Sequence, residues 1–310
     1  MEDEKTQPAA LALDADAVAE AVYTAVRRCA TTLRPDVLAS IESARETASA
    51  ARETAVLDCL LENARIGRED GVPICQDTGT CWVRLEVGED LAIPGNILSK
   101  VDDAVARAYT DGKLRMSVLA DALIDRTNTN DNTPAFAEVA FRPGRGATLH
   151  VLLKGGGSDN ASRVVMLAPG AGWAGVKQVV LDCVREKAAN ACPPLIVGVG
   201  VGGTFDKVAG LAKHALLREV GSPAASAEHA RLEAELLEAA NATGIGPGAL
   251  GGAATALAVH LETAPCHIAA LPVAVNMGCS AMRSASIDLI DWETGEPIAD
   301  GAAATGKEMQ

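Results

Sequence analysis

The sequence predicts a mixed α/β (α+β) fold, in which a helix-rich N-terminal part precedes a sheet-containing part. Apolar residues recur at helical spacing through residues 14–66, as in the series Val18, Val22 and Val26. Later in the chain, short apolar runs alternate with polar residues or end at glycines, which is typical of strands. With 48% hydrophobic residues among 310, the composition is that of a globular protein.

Three scaffold helices are predicted in the N-terminal part. The first carries the valine series and begins behind Asp14 or Asp16, either of which suits a helix cap. Pro35 suits the first turn of the second helix, because proline is favoured at that position. The third helix repeats the apolar pattern and is predicted to end at Gly67.

The later elements are predicted from their local patterns. In chain order they are a strand at 81–88, a helix at 98–109, a polar loop at 127–136, a strand at 147–154 that runs into three glycines, a helix at 173–191, a strand–glycine loop–helix unit at 193–220, a helix at 226–246 and a β-like stretch at 267–279.

No repeat and no linker divides this series of elements. Residues 1–10 are predicted to be a flexible tail, residues 11–295 one domain, and residues 296–310 a loose C-terminal tail.

Charge and composition exclude several functional classes. The net charge is −14, so the basic surface that neutralises nucleic-acid phosphates is not expected. No run approaches the roughly 18 apolar residues that a membrane span requires. The N-terminal residues MEDEKTQPAA lack the apolar region of a secretory signal. We therefore expect a cytoplasmic protein with reduced thiols that binds neither nucleic acid nor membrane.

One glycine motif suggests dinucleotide binding and is rejected. Gly198, Gly200 and Gly203 fit G-x-G-x-x-G between a predicted strand and a predicted helix. However, a second helix follows the first, where the fingerprint requires a strand that ends in a ribose-binding acid. The sequence instead favours a tight turn, or a turn whose backbone N–H groups face a carboxylate. A nicotinamide enzyme is therefore disfavoured.

Eight cysteines are present, without a C-x-x-C pair, so any metal site must gather ligands that are distant in sequence. Most are expected to be small buried residues, in particular those in helix-like stretches. Three others lie at element boundaries beside glycine or proline, where a loop can turn a thiolate into a cavity. Three thiolates suit an iron–sulfur cluster, although eight cysteines allow many other sets. The helical cysteines are Cys29, Cys59 and Cys183, and the boundary cysteines are Cys75, Cys192 and Cys279.

Six segments carry a resemblance to one enzyme family, in order and with its spacing. Over about residues 20–290 the chain resembles the class I, iron–sulfur-dependent fumarate hydratases and L-tartrate dehydratases. The likeness is to their N-terminal portion, which is a separate α chain in two-subunit forms. The segments are PICQDTG (73–79), LRMS (114–117), KGGGSDN (154–160), ACPPLIVGVGVGGT (191–204), FDKVAGLAKHALLR (205–218) and NMGCSAMR (276–283).

The resemblance implies a cluster-binding domain with a 4Fe–4S cluster held by Cys75, Cys192 and Cys279. The fourth iron, not held by a protein ligand, would bind a substrate carboxylate and the hydroxyl group that is added or removed. Gln76 and Asp77 follow the first ligand, as they do in the family.

Further site residues are implied at matching motif positions. Arg115 matches a substrate-carboxylate arginine, and its planar fork suits that ligand. His267 falls where the family places its active-site histidine. We expect Asp77 to orient His267 for proton exchange with the substrate oxygen. Gly155, Gly156 and Gly157 match a loop whose N–H groups contact substrate.

Without the family match, these residues would have ordinary interpretations. Asp77 would be a turn former, Arg115 a surface charge and His267 a satisfied core residue. One departure concerns the third ligand, since Leu271 stands where the family pattern has a cysteine, which supports Cys279 over a neighbouring cysteine as the ligand.

The expected function is that of an α subunit of a hydro-lyase. The predicted reaction is reversible hydration of fumarate to L-malate, and the alternatives within the class are L-tartrate dehydration and mesaconate hydration. A separate β subunit of about 200 residues is expected to complete the site on this small dicarboxylate, in a dimer of αβ pairs. A non-catalytic iron–sulfur sensor is the alternative from a different class.

Overall fold

A computed structural model describes residues 13–298. The helices are α1 (Ala15–Thr31), α2 (Pro35–Thr47), α3 (Ala51–Asp70), α4 (Val101–Asp111), α5 (Gly156–Asn160), α6 (Gly172–Lys187), α7 (Phe205–Ala215) and α8 (Ala227–Asn241). The strands are β1 (Thr80–Gly88), β2 (Phe136–Arg142), β3 (Ala147–Lys154), β4 (Arg163–Leu167), β5 (Leu195–Gly203), β6 (Ala256–Cys266), β7 (Leu271–Gly278) and β8 (Arg283–Ile290). The mixed α/β fold class, with helices first, is therefore confirmed.

The chain forms two compact units. Within the described residues, the first unit comprises 13–30, 76–153 and 284–298, and the second comprises Thr31–Cys75 and Lys154–Arg283. The predicted tail at 1–10 lies outside the described residues, as do all but three residues of the tail at 296–310. The single domain at 11–295 stays a prediction.

The first unit contains a four-stranded sheet in the order β2-β1-β3-β8. Strands β1 and β2 are parallel, with Trp82 opposite Phe136. Every residue of β3 is buried, so this strand lies at the centre of the local core. The predicted valine series of α1 packs in the same core, with Val18, Val22 and Val26 fully buried.

The second unit contains a sheet in the order β4-β7-β5-β6. Strand β5 is parallel to β6 and antiparallel to β7, and β4 is antiparallel to β7. Apolar side chains of α6, α8 and these strands form a second hydrophobic core, distinct from that of the first unit. Cys279 directly follows β7 and Cys192 lies three residues before β5, so two of the boundary cysteines lie at the ends of adjacent strands of this sheet.

The glycines of β5 serve close packing. Gly198 and Gly200 lie in the regular part of the strand, and positive φ angles occur only at its end, at Gly202 and Gly203, where the pairing with β6 is irregular. A Cβ atom at Gly198 would lie 2.1 Å from the carbonyl oxygen of Ala212, a residue of α7. The expected glycine loop is thus shorter than predicted, and the motif allows α7 to approach the sheet closely.

The third helix differs from its prediction. It continues past Gly67 to Asp70, and Gly71, with φ of 64°, ends it in the left-handed conformation. Gly67 is buried inside the helix, and a side chain does not fit there because a Cβ would lie 2.4 Å from Ile74. The predicted stop therefore marks a close contact, whereas the true cap comes four residues later.

Among the described residues, no helix has both the length and the hydropathy that crossing a membrane would require.

Candidate active site

All three boundary cysteines belong to the second unit, and each follows a regular element. Cys75 lies in the loop after α3, Cys192 follows the short 3₁₀ turn after α6, and Cys279 follows β7. Cys192 is exposed, and Cys75 and Cys279 are half-buried. Each thiol is therefore accessible from a loop and is not fixed in the core.

The fold brings the three thiols into one region. The backbone N–H of Ser280 donates to the carbonyl oxygen of Cys192 over 3.0 Å, so the loop after β7 lies against the turn after α6. Partial burial of its thiol raises the pKa of Cys192, and the nearby thiols of Cys279 and Cys75 act in the same direction. Residues far apart in sequence thus converge, as an iron–sulfur site requires.

Cys192 has an unusual backbone conformation. Its φ of 55° lies in the left-handed region, which non-glycine residues rarely adopt. The following residue is held in place, since the N–H of Gly248 donates to the carbonyl of Pro193 over 2.8 Å. Such strain persists only where the surroundings impose it, and it concentrates at functional positions. The backbone of this turn is therefore held by its neighbours.

The glycine segment lies beside the same turn. Gly156 and Gly157 begin the one-turn helix α5, and Gly155 precedes it. A Cβ at Gly157 would be 3.0 Å from the carbonyl oxygen of Asn190, two residues before Cys192. Glycine at this position therefore keeps the segment close to the cysteine-bearing turn.

Lys154, the first residue of this segment, is a buried lysine near Cys279 that the sequence analysis did not single out. Its side chain is only 2% exposed, and its Nζ donates to Ser158 Oγ and to the Met277 carbonyl oxygen, each over 2.8 Å. Burial lowers the pKa of Lys154 to about 8, whereas Asp159 and Cys279 favour its charged form. The sequence signal was the lysine before three glycines in KGGG, which by itself does not indicate burial.

The first unit holds another part of the predicted site. Arg115 Nη1 donates to Gln76 Oε1 over 2.9 Å, and Arg115 Nη2 lies 3.1 Å from Asp77 Oδ1. Thr78 fixes the backbone of this loop by donating to the Arg115 carbonyl over 2.7 Å. Arg115, Gln76 and Asp77 thus form one cluster, joined by a hydrogen bond and an ion pair. More than half of the Arg115 side chain, 56%, stays exposed and is accessible to an anion.

Asp77 also has a local structural role. Its Oδ1 atom accepts the backbone N–H of Gly79 over 3.1 Å, as expected of an aspartate in a turn. The turn interpretation therefore applies to this residue, and its site role stays a prediction, although the same carboxylate is paired with Arg115.

His267 lies in the second unit, in the turn between β6 and β7. It is exposed, so the ordinary interpretation as a core histidine does not hold. Its Nδ1 accepts the backbone N–H of Ala269 over 3.1 Å, which leaves the proton of the neutral ring on Nε2. The ring borders an open groove of about 330 Å³ together with Thr204, Lys207 and Cys266. The pairing of Asp77 with this ring stays a prediction.

The helical cysteines divide into two groups. Cys29 and Cys183 are buried, as predicted. The prediction for Cys59 was wrong, since this residue is exposed. It lies two residues after the buried Leu57 on α3, and a step of two residues turns a side chain away from the core-facing side.

The donor set fits an iron–sulfur cluster. Three thiols, which are soft ligands, lie at loop positions in the second unit, and the cysteine with the left-handed backbone is exposed. The residues that would hold the cluster are Cys75, Cys192 and Cys279.

Comparisons with known proteins identify the family. A family model described as fumarate hydratase (Fumerase) matches residues 19–288. A protein of Methanocaldococcus jannaschii named "Putative L(+)-tartrate dehydratase subunit alpha" is 36% identical over 274 residues, which cover 86% of this chain and 96% of that protein.

Two bacterial relatives carry the same kind of name. The L(+)-tartrate dehydratase subunit alpha of Escherichia coli K12 and that of Shigella sonnei are each 30% identical over 261 residues, covering 83% of this chain and 86% of each relative. The family match spans most of the chain and confirms the resemblance drawn from the six motifs. The chain therefore belongs to the class I fumarate hydratase and L-tartrate dehydratase alpha-subunit family, and it is a hydro-lyase.

Proposed function

We propose that the chain is the α subunit of a 4Fe–4S-dependent hydro-lyase that interconverts fumarate and L-malate. The convergence of three cysteines in one region of the second unit carries this proposal. The description of the matching family supports fumarate as substrate. When bound, the cluster supplies a Lewis-acidic iron that polarises substrate oxygens.

Arg115 is proposed to bind a substrate carboxylate. Gln76 and Asp77 hold its guanidinium from one side, and more than half of the side chain stays exposed. Because the group is oriented before substrate arrives, little side-chain freedom is lost on binding. A guanidinium is also permanently charged and matches the two oxygens of a carboxylate.

His267 is proposed to exchange a proton with the substrate oxygen. With Nδ1 occupied by the Ala269 N–H, the ring presents Nε2, which can donate or accept a proton. In this proposal the Asp77 carboxylate stabilises the protonated ring. The backbone N–H groups of Gly155, Gly156 and Gly157 are proposed to contact the substrate beside the cysteines.

L-Tartrate is a second candidate substrate, and a specific observation favours it. The relatives reported above are named as tartrate dehydratase α subunits. Tartrate differs from malate by one hydroxyl group, and a site that hydrogen-bonds this hydroxyl would discriminate strongly between the two. Mesaconate, which is fumarate with an added methyl group, is a third substrate to test.

A separate β subunit is proposed as partner. The relatives are named as α subunits, and we infer that a β chain of about 200 residues completes the site here too, in a dimer of αβ pairs.

The test is anaerobic co-expression with a candidate β subunit of about 200 residues, followed by cluster reconstitution. Assays then use L-malate, fumarate, L-tartrate and mesaconate at equal concentrations. A kcat/KM that is highest for malate and fumarate supports the proposal, and a highest value for tartrate selects the second candidate. A complex that holds its cluster but turns over none of the four contradicts both and supports a sensing role.

A further inference from the structure

Lys154 is a buried cation in the region where the cysteines converge, and the proposed chemistry does not use it. A buried ammonium group is expensive unless its donors are satisfied. Here Nζ donates to Ser158 Oγ and to the Met277 carbonyl oxygen, each over 2.8 Å, and lies 3.6 Å from Asp159 Oδ1. Stability of the core alone does not explain a buried lysine here, because an apolar side chain of similar volume would serve as well.

Each contact of this ammonium fixes a different segment. Ser158 Oγ in turn donates to the Gly155 carbonyl over 3.2 Å, so the two ends of the glycine segment (155–158) are joined by a hydrogen bond. Met277 is the seventh residue of β7, and its carbonyl lies two residues before Cys279. One cation therefore connects the glycine segment with the end of the strand that leads to a proposed cluster ligand.

The neighbouring turn is joined to the same assembly. Ser280, directly after Cys279, donates to the Cys192 carbonyl over 3.0 Å. Gly157 packs close to the Asn190 carbonyl, two residues before Cys192. A shift of the glycine segment or of the end of β7 would therefore be transmitted to both cysteines.

We propose that Lys154 is a positioning residue, which holds the glycine segment against the end of β7 so that Cys192 and Cys279 stay close together before the cluster is bound. This inference rests on the proposed cluster ligands. It assigns Lys154 no contact with substrate or with the reacting atoms.

The test measures thiol proximity in the reduced, cluster-free chain. A bifunctional bimane reagent links two thiols only when they lie close together, and peptide mass spectrometry identifies the linked pair. In the wild type we expect linkage of Cys192 to Cys279. In Lys154→Met, linkage should be slower by at least about fivefold, because the connection between segments is lost. Lys154→Arg, which keeps a cation and its donors, should restore much of the rate.

Lys177→Met is the matched control, since Lys177 also forms an ion pair in this unit, with Glu235 over 2.8 Å. It should leave the linkage rate unchanged. Wild-type rates in Lys154→Met, with the fold verified by circular dichroism, would overturn the inference.

A second variant decides the matter if Lys154→Met does not fold. Ser158→Ala keeps the cation and removes one of its partners, so slower linkage supports the positioning role and an unchanged rate overturns it. A wild-type chain in which the two thiols do not link contradicts the cluster ligands themselves, and this inference with them. A chain that links as predicted but has no hydro-lyase activity separates the positioning role from the proposed reaction.

Discussion

Arg115 and Gln76 lie in the same unit and are joined by a hydrogen bond of 2.9 Å from the guanidinium to the side-chain amide oxygen. The two residues are separated by β1 and α4 in the chain, and the fold brings them together. Asp77, next to Gln76, contacts the same guanidinium from its carboxylate. This cluster gives the arginine a defined orientation while its charge stays accessible.

Arg115→Lys should weaken substrate binding. Lysine keeps the charge but loses the planar fork that contacts Gln76 and Asp77 together. We expect KM for the dicarboxylate to rise by about tenfold or more, with a smaller change in kcat. Steady-state kinetics of the reconstituted complex measure this. Arg107→Lys, on an exposed arginine of the same unit, serves as control. Equal KM values in wild type and Arg115→Lys would argue against the carboxylate contact.

Asp77→Asn should reduce turnover. The amide keeps the shape of the side chain but removes the negative charge that is proposed to stabilise a protonated His267. We expect kcat to fall by about a hundredfold, together with a change in its pH profile. Because Asp77 also accepts the Gly79 N–H, circular dichroism must show that the loop still folds. Unchanged turnover would mean that the Asp77–His267 pairing is wrong.

A pair of glycine variants tests the packing role of the β5 motif. Gly198→Ala would place a Cβ 2.1 Å from the Ala212 carbonyl oxygen, so the unfolding free energy should fall by about 1–3 kcal/mol. Gly210→Ala, on α7 with no atom within 4 Å of its Cβ, should instead raise it by up to about 1 kcal/mol. Denaturant titrations measure both values. A neutral Gly198→Ala would show that α7 does not need this close approach.

Stability should depend on pH through His260. Burial, with Arg218 adding to it, lowers the pKa of His260 to about 4 from the usual 6.5, whereas Glu233 acts in the opposite direction. Between these two pH values His260 is protonated in the unfolded chain but neutral in the folded chain. The free energy of unfolding is therefore unaffected by His260 above pH 6.5 and decreases as the pH falls towards 4.

The unfolding free energy should accordingly fall by up to about 1.4 kcal/mol per pH unit in this window. His260→Asn should flatten this dependence, and His229→Asn, near the start of α8, should not. Chemical unfolding of the cluster-free chain at several pH values provides the measurement. Parallel curves for wild type and His260→Asn would refute the assignment.

Sequence patterns predicted the N-terminal helices well, because their apolar positions repeat with the helical period and Pro35 marks a start. They missed strands such as β2 and β6. Phe136 and Phe141 of β2 are exposed, so the strand lacks the alternating burial that the pattern requires. In β6 a run of consecutive residues is buried, and continuous burial hides the period of two.

The candidate site was predicted mainly from motifs, and its geometry was not. The segments around the cysteines carry the family signature, yet no spacing rule shows that distant loops meet. The burial of Lys154 depends on packing between α5 and the end of β7, which only the folded chain provides. Cys59 shows the reverse error, because a cysteine on a helix can face either the core or the solvent.

The most direct test of the central claim is the iron and acid-labile sulfide content of cysteine-to-serine variants after anaerobic reconstitution. Single substitutions of Cys75, Cys192 and Cys279 should each abolish stable cluster binding, whereas Cys59→Ser, at an exposed cysteine of the same unit, should bind iron and sulfide like the wild type. Wild-type iron and sulfide content in any of the three variants would contradict the account.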